Sequence, residues 1–179
     1  DLTIPIEAAM IGKNMAPGLN RNFVSEEWPR IKKEYWHDAR RKAWEAMDNG
    51  TKLNIIASDI DKEAIKAARE NAENIGLEED IKFMVKDMRD LNIKDKYGVI
   101  ISNPPYGERL GNKKEIDELY KDMGKAFKSL DTYSIYILTS NENFEKLYGK
   151  PSSRKRKLYN GRIKVDYYQY YGPRPPKDI

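Results

Sequence analysis

The sequence contains no cysteine and only one histidine, His37. Without cysteine there is no disulfide and no thiolate metal site. A lone histidine also excludes a multi-histidine centre, so no metal is expected. No stretch approaches the ~20 consecutive apolar residues that a membrane-spanning helix needs. A secretory leader pattern is missing too, and a cytoplasmic protein is the natural expectation. Tryptophan and phenylalanine are scarce, at three and four residues, against twelve tyrosines. Charged residues make up 35% and mean hydropathy is −0.85, which implies a wet surface. The 39% apolar content still suits a packed core better than a disordered chain. At 179 residues, one domain spanning 1–179 is expected.

Charge of one sign is concentrated. From Lys150 to Ile179 there are nine Lys or Arg against two Asp or Glu, a net of +7. The whole chain carries only +4, so the remainder sums to −3. Within the basic segment, Arg154, Lys155, Arg156 and Lys157 form an unbroken run. Such a run suits nucleic-acid phosphates, although charge alone is equally consistent with a solvated surface.

Periodicity outlines the elements. Helices are expected over Leu2–Gly12, Trp28–Met47, Lys62–Ile75, Lys113–Leu130 and Asn143–Tyr148. Short apolar or β-branched runs predict strands at Leu53–Ser58, Ile81–Lys86, Tyr97–Ser102 and Tyr133–Thr139. Ala16–Glu27, with Pro17-Gly18 and several asparagines, reads as a loop. Lys157–Tyr171 reads as a hairpin turning near Asn160-Gly161, and Pro151–Lys157 as a mobile basic loop. Strands alternating with helices predict an α/β fold: a doubly wound, mostly parallel sheet with a terminal antiparallel hairpin. Such sheets bind ligands beyond the carboxyl ends of their strands.

Three strand ends carry polar residues with chemical potential. Asp59 follows the first strand and can accept from two ribose hydroxyls, with Ile60 available to pack on an adenine ring. Asp61 is placed to cap the next helix, and capping alone would also account for Asp59. Asp87 follows the second strand; its carboxylate can accept from an adenine amino group while the Met88 amide donates to a ring nitrogen. A plain turn explains that pair equally well.

The third strand end is the sharpest feature. Ser102 is followed by Asn103-Pro104-Pro105-Tyr106-Gly107. The nitrogen of an exocyclic base amine is a poor nucleophile, because its lone pair is delocalised into the ring. Two acceptors set against its hydrogens draw it toward tetrahedral geometry. The Asn103 side-chain oxygen and the Pro104 carbonyl can supply them. Pro104 biases Asn103 to an extended backbone, and Pro105 stiffens the run. Tyr106 can stack on a base taken out of its helix. Asn103, Pro104, Pro105 and Tyr106 are therefore the candidate catalytic set.

Taken together, these strand ends resemble the motifs of class I S-adenosylmethionine-dependent methyltransferases. More closely, the chain resembles the catalytic domain of the THUMP-containing rRNA guanine-N2 methyltransferases, often labelled N6-adenine-specific DNA methylases. The resemblance rests on Ile4-Pro5-Ile6-Glu7-Ala8-Ala9, Ala16-Pro17-Gly18-Leu19-Asn20-Arg21, Glu27-Trp28-Pro29, Asn103 to Leu110, and Lys157-Leu158-Tyr159-Asn160-Gly161. It implies S-adenosylmethionine as cofactor, held by Asp59, Ile60, Asp87, Met88 and Asn103. It further implies large-subunit, 23S-type rRNA as partner, met by Arg154, Lys155, Arg156 and Lys157. In that family a strand and a glycine-rich loop ending in a Cys-Gly-Ser-Gly-like run precede Thr3-Ile4-Pro5, and a THUMP module lies further upstream. Here the sequence opens with Asp1-Leu2, so a fragment is expected.

Other activities use the same Asn103 motif. An adenine-N6 methyltransferase on DNA or RNA is the nearest alternative. A protein glutamine methyltransferase is disfavoured by the basic C-terminal segment. A non-catalytic RNA-binding fragment is favoured by the missing glycine-rich loop and opposed by the intact Asn103 to Tyr106 run.

Overall fold

The computed structural model describes residues 2–106 and 113–177. Asp1 and the Gly107–Leu110 part of the motif lie outside the described residues. The chain divides into two compact units, Asp1–Lys86 and Asp87–Ile179.

In the first unit, helix α1 (Thr3–Gly12) and helix α2 (Lys33–Glu45) precede strand β1 (Ile55–Asp59), helix α3 (Lys62–Glu73) and strand β2 (Ile81–Val85). β1 and β2 pair in parallel, with Ile55 opposite Ile81 and Asp59 opposite Val85. On α3, Ile65, Ala68 and Ala72 are buried, the spacing of one helical face. They pack with Ala9, Ala57, Ile81 and Phe83 in one apolar core. Asp61 caps α3, its carboxylate accepting from the Glu63 amide at 2.9 Å, as its position before the helix implied. The helix closes through Gly76, at φ +72°: the Gly76 amide donates to Glu73 O and the Leu77 amide to Ala72 O.

α2 starts five residues later than its periodicity implied. Trp28 precedes Pro29, which disfavours helical backbone at Trp28, and it lies extended at φ −75°, ψ 125°. Val24–Glu27 forms a short 3-10 turn instead. The loop before it is clipped to α2 by Arg40, which donates to both oxygens of Glu26 (2.6 and 3.1 Å) and to the Arg21 carbonyl (2.8 Å).

In the second unit, strand β3 (Val99–Ser102), helix α4 (Lys113–Phe127), strand β4 (Ser134–Thr139), helix α5 (Phe144–Tyr148), strand β5 (Arg154–Asn160) and strand β6 (Ile163–Tyr170) follow in order. The sheet order is β3-β4-β6-β5, with β3 and β4 parallel and the other pairs antiparallel. The parallel pairs and the terminal antiparallel hairpin agree with the expected fold class. β3 is shorter than expected because Tyr97 adopts φ +60°, a left-handed backbone that no strand accommodates.

The core of this unit is built largely from aromatic rings, four of them tyrosines. Tyr120, Met123 and Phe127 of α4 face Ile135 and Ile137 of β4, Phe144 and Tyr148 of α5, and Tyr168 and Tyr170 of β6. Ring centroids lie 4.8–5.1 Å apart in the Tyr120–Phe144, Phe144–Tyr168 and Tyr148–Tyr170 pairs. α4 and α5 meet closely at Gly124: a Cβ there would lie 2.1 Å from the Tyr148 carbonyl oxygen. The helix-interior glycine costs about 1 kcal/mol in propensity but permits this contact.

The basic run corrects an expectation. Arg154 to Lys157 are not a mobile loop but the first half of β5, paired with Gln169 to Asp166. β6 offers an unbroken ladder partner, so the extended backbone continues through the charged residues. As an edge strand, β5 is exposed throughout, and charge suits such an edge because it deters pairing with other chains.

Candidate active site

The motif run leaves the sheet at the carboxyl end of β3. Pro104 is buried and Asn103 partly so. The Asn103 Oδ1 atom is buried and accepts no hydrogen bond among the described residues. Buried amide oxygens are ordinarily satisfied, and an orphaned one costs about 1–3 kcal/mol. An amine hydrogen is the kind of donor this atom lacks.

The run is braced from the core. Tyr120 Oη donates to the Pro105 carbonyl at 3.0 Å and lies 2.7 Å from Thr139 Oγ1. A phenol has one hydrogen, and Pro105 O can only accept, so Thr139 must donate to Tyr120. Thr139 Oγ1 in turn accepts from the Asn141 amide at 3.2 Å. The result is a directed chain, Asn141 N–H to Thr139 O–H to Tyr120 O–H to Pro105 C=O. Tyr120 and Thr139 are fully buried. Burial raises the Tyr120 phenol above its ordinary range, with the Thr139 bond opposing, so the hydroxyl keeps its hydrogen at neutral pH.

Tyr106 is held from another side, where Asn160 Nδ2 donates to its hydroxyl at 3.2 Å. The sequence marks Asn160 as a turn residue and as part of the Lys157–Gly161 segment, and singles out neither Tyr120 nor Thr139. Their only signal is an alternating strand ending at Thr139 and an apolar helical stripe that includes a tyrosine.

The cofactor candidates divide between the units. In the first, Asp59 ends β1; one oxygen accepts from the Asp61 amide at 3.1 Å, and Ile60 is 71% exposed. Asp59 thus retains an oxygen for an external donor, and Ile60 presents a free apolar face. A concavity lined by Arg69, Glu78, Glu79, Ile81 and Lys82 opens at the amino end of β2, opposite these groups.

In the second unit, Asp87 is more heavily engaged than its sequence suggested. Oδ1 accepts from the Arg89 amide and Nε, both at 2.9 Å, and Oδ2 from an Arg89 terminal nitrogen at 2.6 Å. The Arg89 guanidinium, also 3.5 Å from Asp122, holds the Asp87 carboxyl below the usual carboxylate range. An ionised carboxylate offers about four lone pairs, so roughly one remains on Oδ2 for an adenine amine. Met88 packs against the aromatic core, which fixes the backbone beside it. Asp59 and Asp87 each keep an acceptor for an external hydroxyl or amine hydrogen. Among the described residues no acidic or histidine cluster could hold a metal ion, and no helix is long and apolar enough to cross a membrane.

The basic residues split by strand parity. Arg154, Arg156, Leu158 and Asn160 share one side of β5, and Lys155, Lys157 and Tyr159 the other. Lys155 Nζ lies 5.4 Å from the Tyr168 ring centroid, and Lys157 Nζ 5.4 Å from that of Tyr159.

Comparison with known proteins decides the family. The model of the RMKL-like methyltransferase domain matches residues 3–169. The chain belongs to this family. Similar proteins include one from Bacillus subtilis named "Putative RNA methyltransferase YpsC", 52% identical over 98% of this chain and 46% of its own. Another, from Shewanella sp. strain W3-18-1, is named "Ribosomal RNA large subunit methyltransferase K/L", 34% identical over 94% of this chain and 24% of its own. Among solved structures, SMU.472, described as "a putative methyltransferase complexed with SAH", superposes with a TM-score of 0.93 at 45% identity. That match covers 97% of this chain and 46% of the other. The chain therefore spans less than half the length of these RMKL-like relatives.

Proposed function

We propose that residues 1–179 form the catalytic domain of an S-adenosylmethionine-dependent methyltransferase that modifies the N2 amine of guanine in large-subunit rRNA. The observation that carries the reading is the buried, unpartnered Asn103 Oδ1 at the carboxyl end of β3. The RMKL-like family, the SAH-bound neighbour and the rRNA named for a relative support the cofactor and the substrate class.

When bound, the cofactor supplies an electrophilic methyl group on a sulfonium. Asp59 would receive the ribose hydroxyls, with Ile60 against the adenine ring. Asp87 Oδ2 and the Met88 amide would take the adenine edge. Asn103 Oδ1 and the Pro104 carbonyl would accept the two amine hydrogens, turning the nitrogen lone pair toward the methyl carbon. No strong base is required, because the leaving group is good and the amine proton can depart to solvent after transfer. Positioning therefore accounts for most of the rate. Tyr106 would stack on the displaced base, and the β5 cations would meet phosphates.

The test is mass spectrometry of nucleosides from unmodified rRNA incubated with the complete protein and labelled cofactor. Label in N2-methylguanosine is expected. Asn103→Ala should lower the transfer rate roughly a hundredfold or more while cofactor affinity barely moves, the scale for one oriented polar group. Label only in N6-methyladenosine would replace guanine by adenine and keep the mechanism. Full activity in Asn103→Ala would refute the mechanism itself.

A further inference from the structure

The terminal hairpin overhangs the strand ends. β6 pairs with β4 only from Tyr170 back to Asp166, whereas its ladder with β5 continues to Ile163. Three residues of β6 and their β5 partners thus project past Thr139, the carboxyl end of β4. β3 runs parallel to β4 and ends at Ser102, opposite Ile137. The Asn103 run therefore leaves the sheet at the same end over which the hairpin tip projects. Asn160, the last residue of β5 before the tip, reaches across 54 residues of sequence to Tyr106, its Nδ2 donating to Tyr106 Oη.

We propose that Asn160 is a positioning residue: its amide fixes the Tyr106 ring through the phenol oxygen and ties base placement to the basic hairpin. This rests on the reading of Tyr106 as the ring that receives the target base. Pro104 and Pro105 fix their own φ angles, so the backbone leading into Tyr106 is stiff and the ring's place is set by the torsions of Tyr106 itself. A hydrogen bond at the phenol oxygen fixes where the far end of the ring lies and so restrains its swing about χ1. The tie also has a direction along the molecule. Arg154 and Arg156 lie on the same side of β5 as Asn160, so an RNA strand with phosphates on those two arginines would be led toward Tyr106. Lys155 and Lys157 face the other side.

The proposal is tested with the complete protein and unmodified rRNA, reading kcat and KM separately together with RNA affinity and melting temperature. Removing one neutral hydrogen bond should reduce kcat about three- to tenfold in Asn160→Ala. RNA affinity and melting temperature should stay unchanged. Tyr106→Phe removes the same bond without touching the hairpin and should lose a similar factor. In the Tyr106→Phe background, Asn160→Ala should do nothing further. An unchanged kcat in Asn160→Ala would overturn the proposal, as would a loss confined to RNA affinity or an equal further loss in the Tyr106→Phe background. Asn103→Ala run alongside separates the two layers. If it is inactive while Asn160→Ala is fully active, only the positioning role falls. If Asn103→Ala is itself fully active, the reading of the site falls.

Discussion

Tyr120→Phe removes one oxygen atom and leaves every carbon neighbour in the aromatic core in place. Two groups are left without a partner: the Pro105 carbonyl and the Thr139 hydroxyl hydrogen. Pro105 is exposed and can turn to water, so freeing it costs little stability. Thr139 is fully buried, and an orphaned buried hydroxyl costs about 1–3 kcal/mol. Chemical denaturation should show that deficit. The rate should respond differently, because Pro105 is now untethered two residues after Asn103. A displacement of about 1 Å at a reacting group can cost a hundredfold, and a kcat at least tenfold lower is expected with cofactor affinity unchanged. Adding Thr139→Val separates the two effects. Replacing both buried hydroxyls with apolar groups of the same shape removes the orphaned hydroxyl, so the double variant should regain part of the stability, less the bond that the Asn141 amide made to Thr139. It should not regain the rate, because nothing then holds Pro105. Recovery of rate together with stability would refute the bracing role, as would a Tyr120→Phe protein indistinguishable from the parent in both measurements.

Three further outcomes are expected. Asp59→Ala in the complete protein should weaken S-adenosylmethionine binding about ten- to a hundredfold by titration calorimetry, the cost of removing charge-assisted bonds to ribose hydroxyls, and unchanged affinity would remove Asp59 from the site. Replacing Arg154, Lys155, Arg156 and Lys157 by Gln should flatten the salt dependence of RNA affinity by about 0.7 in log–log slope for each phosphate no longer neutralised; the Arg154/Arg156 pair should account for more of it than the lysine pair, and an unaltered slope would leave the strand merely solvated. Burial pushes the Tyr148 and Tyr168 phenols up from 10 to about 12 and raises Tyr170 as well. Folded phenols with raised values hold their protons more tightly than unfolded ones. That stabilisation is complete below pH 10 and disappears as pH rises toward 12, so unfolding and tyrosinate absorbance should rise together in that window. Ionisation of all twelve tyrosines near pH 10 with the fold intact would contradict the burial argument.

Much of the fold is legible in the sequence because local rules and tertiary packing agree. Asp61 is expected to cap a helix over Lys62–Ile75 and does so; within α3 the structure buries Ile65, Ala68 and Ala72 on one face, and Gly76 closes it. Expectation and structure part where a long-range partner or a single backbone torsion prevails. Four consecutive cations read as a solvated loop, yet the β6 ladder makes them a strand. Tyr97 is apolar enough to belong to β3, yet its φ of +60° delays the start of the strand to Val99.

The candidate site shows the same division. Asn103 to Tyr106 can be proposed from the sequence because the groups an amine acceptor needs stand in adjacent residues. Its supports cannot, because they lie far along the chain: Tyr120 is 15 residues from Pro105, Thr139 another 19 from Tyr120, and Asn160 is 54 from Tyr106. Each also has a complete local explanation, as a core aromatic, a strand end and a turn. Such residues become visible only through unmet valences in three dimensions. A buried Tyr hydroxyl needs two partners, and here they are Thr139 at the end of β4 and the Pro105 carbonyl of the motif run. The same reasoning marks Asn103 from the opposite direction: the neighbouring run is tied by bonds at Pro105 and Tyr106, while its buried side-chain acceptor is left open. A loop stabilised for its own sake would be expected to satisfy that atom, since leaving it unpaired costs about 1–3 kcal/mol. Leaving it open while bracing the residues after it is the arrangement expected of a group held ready for a donor on another molecule.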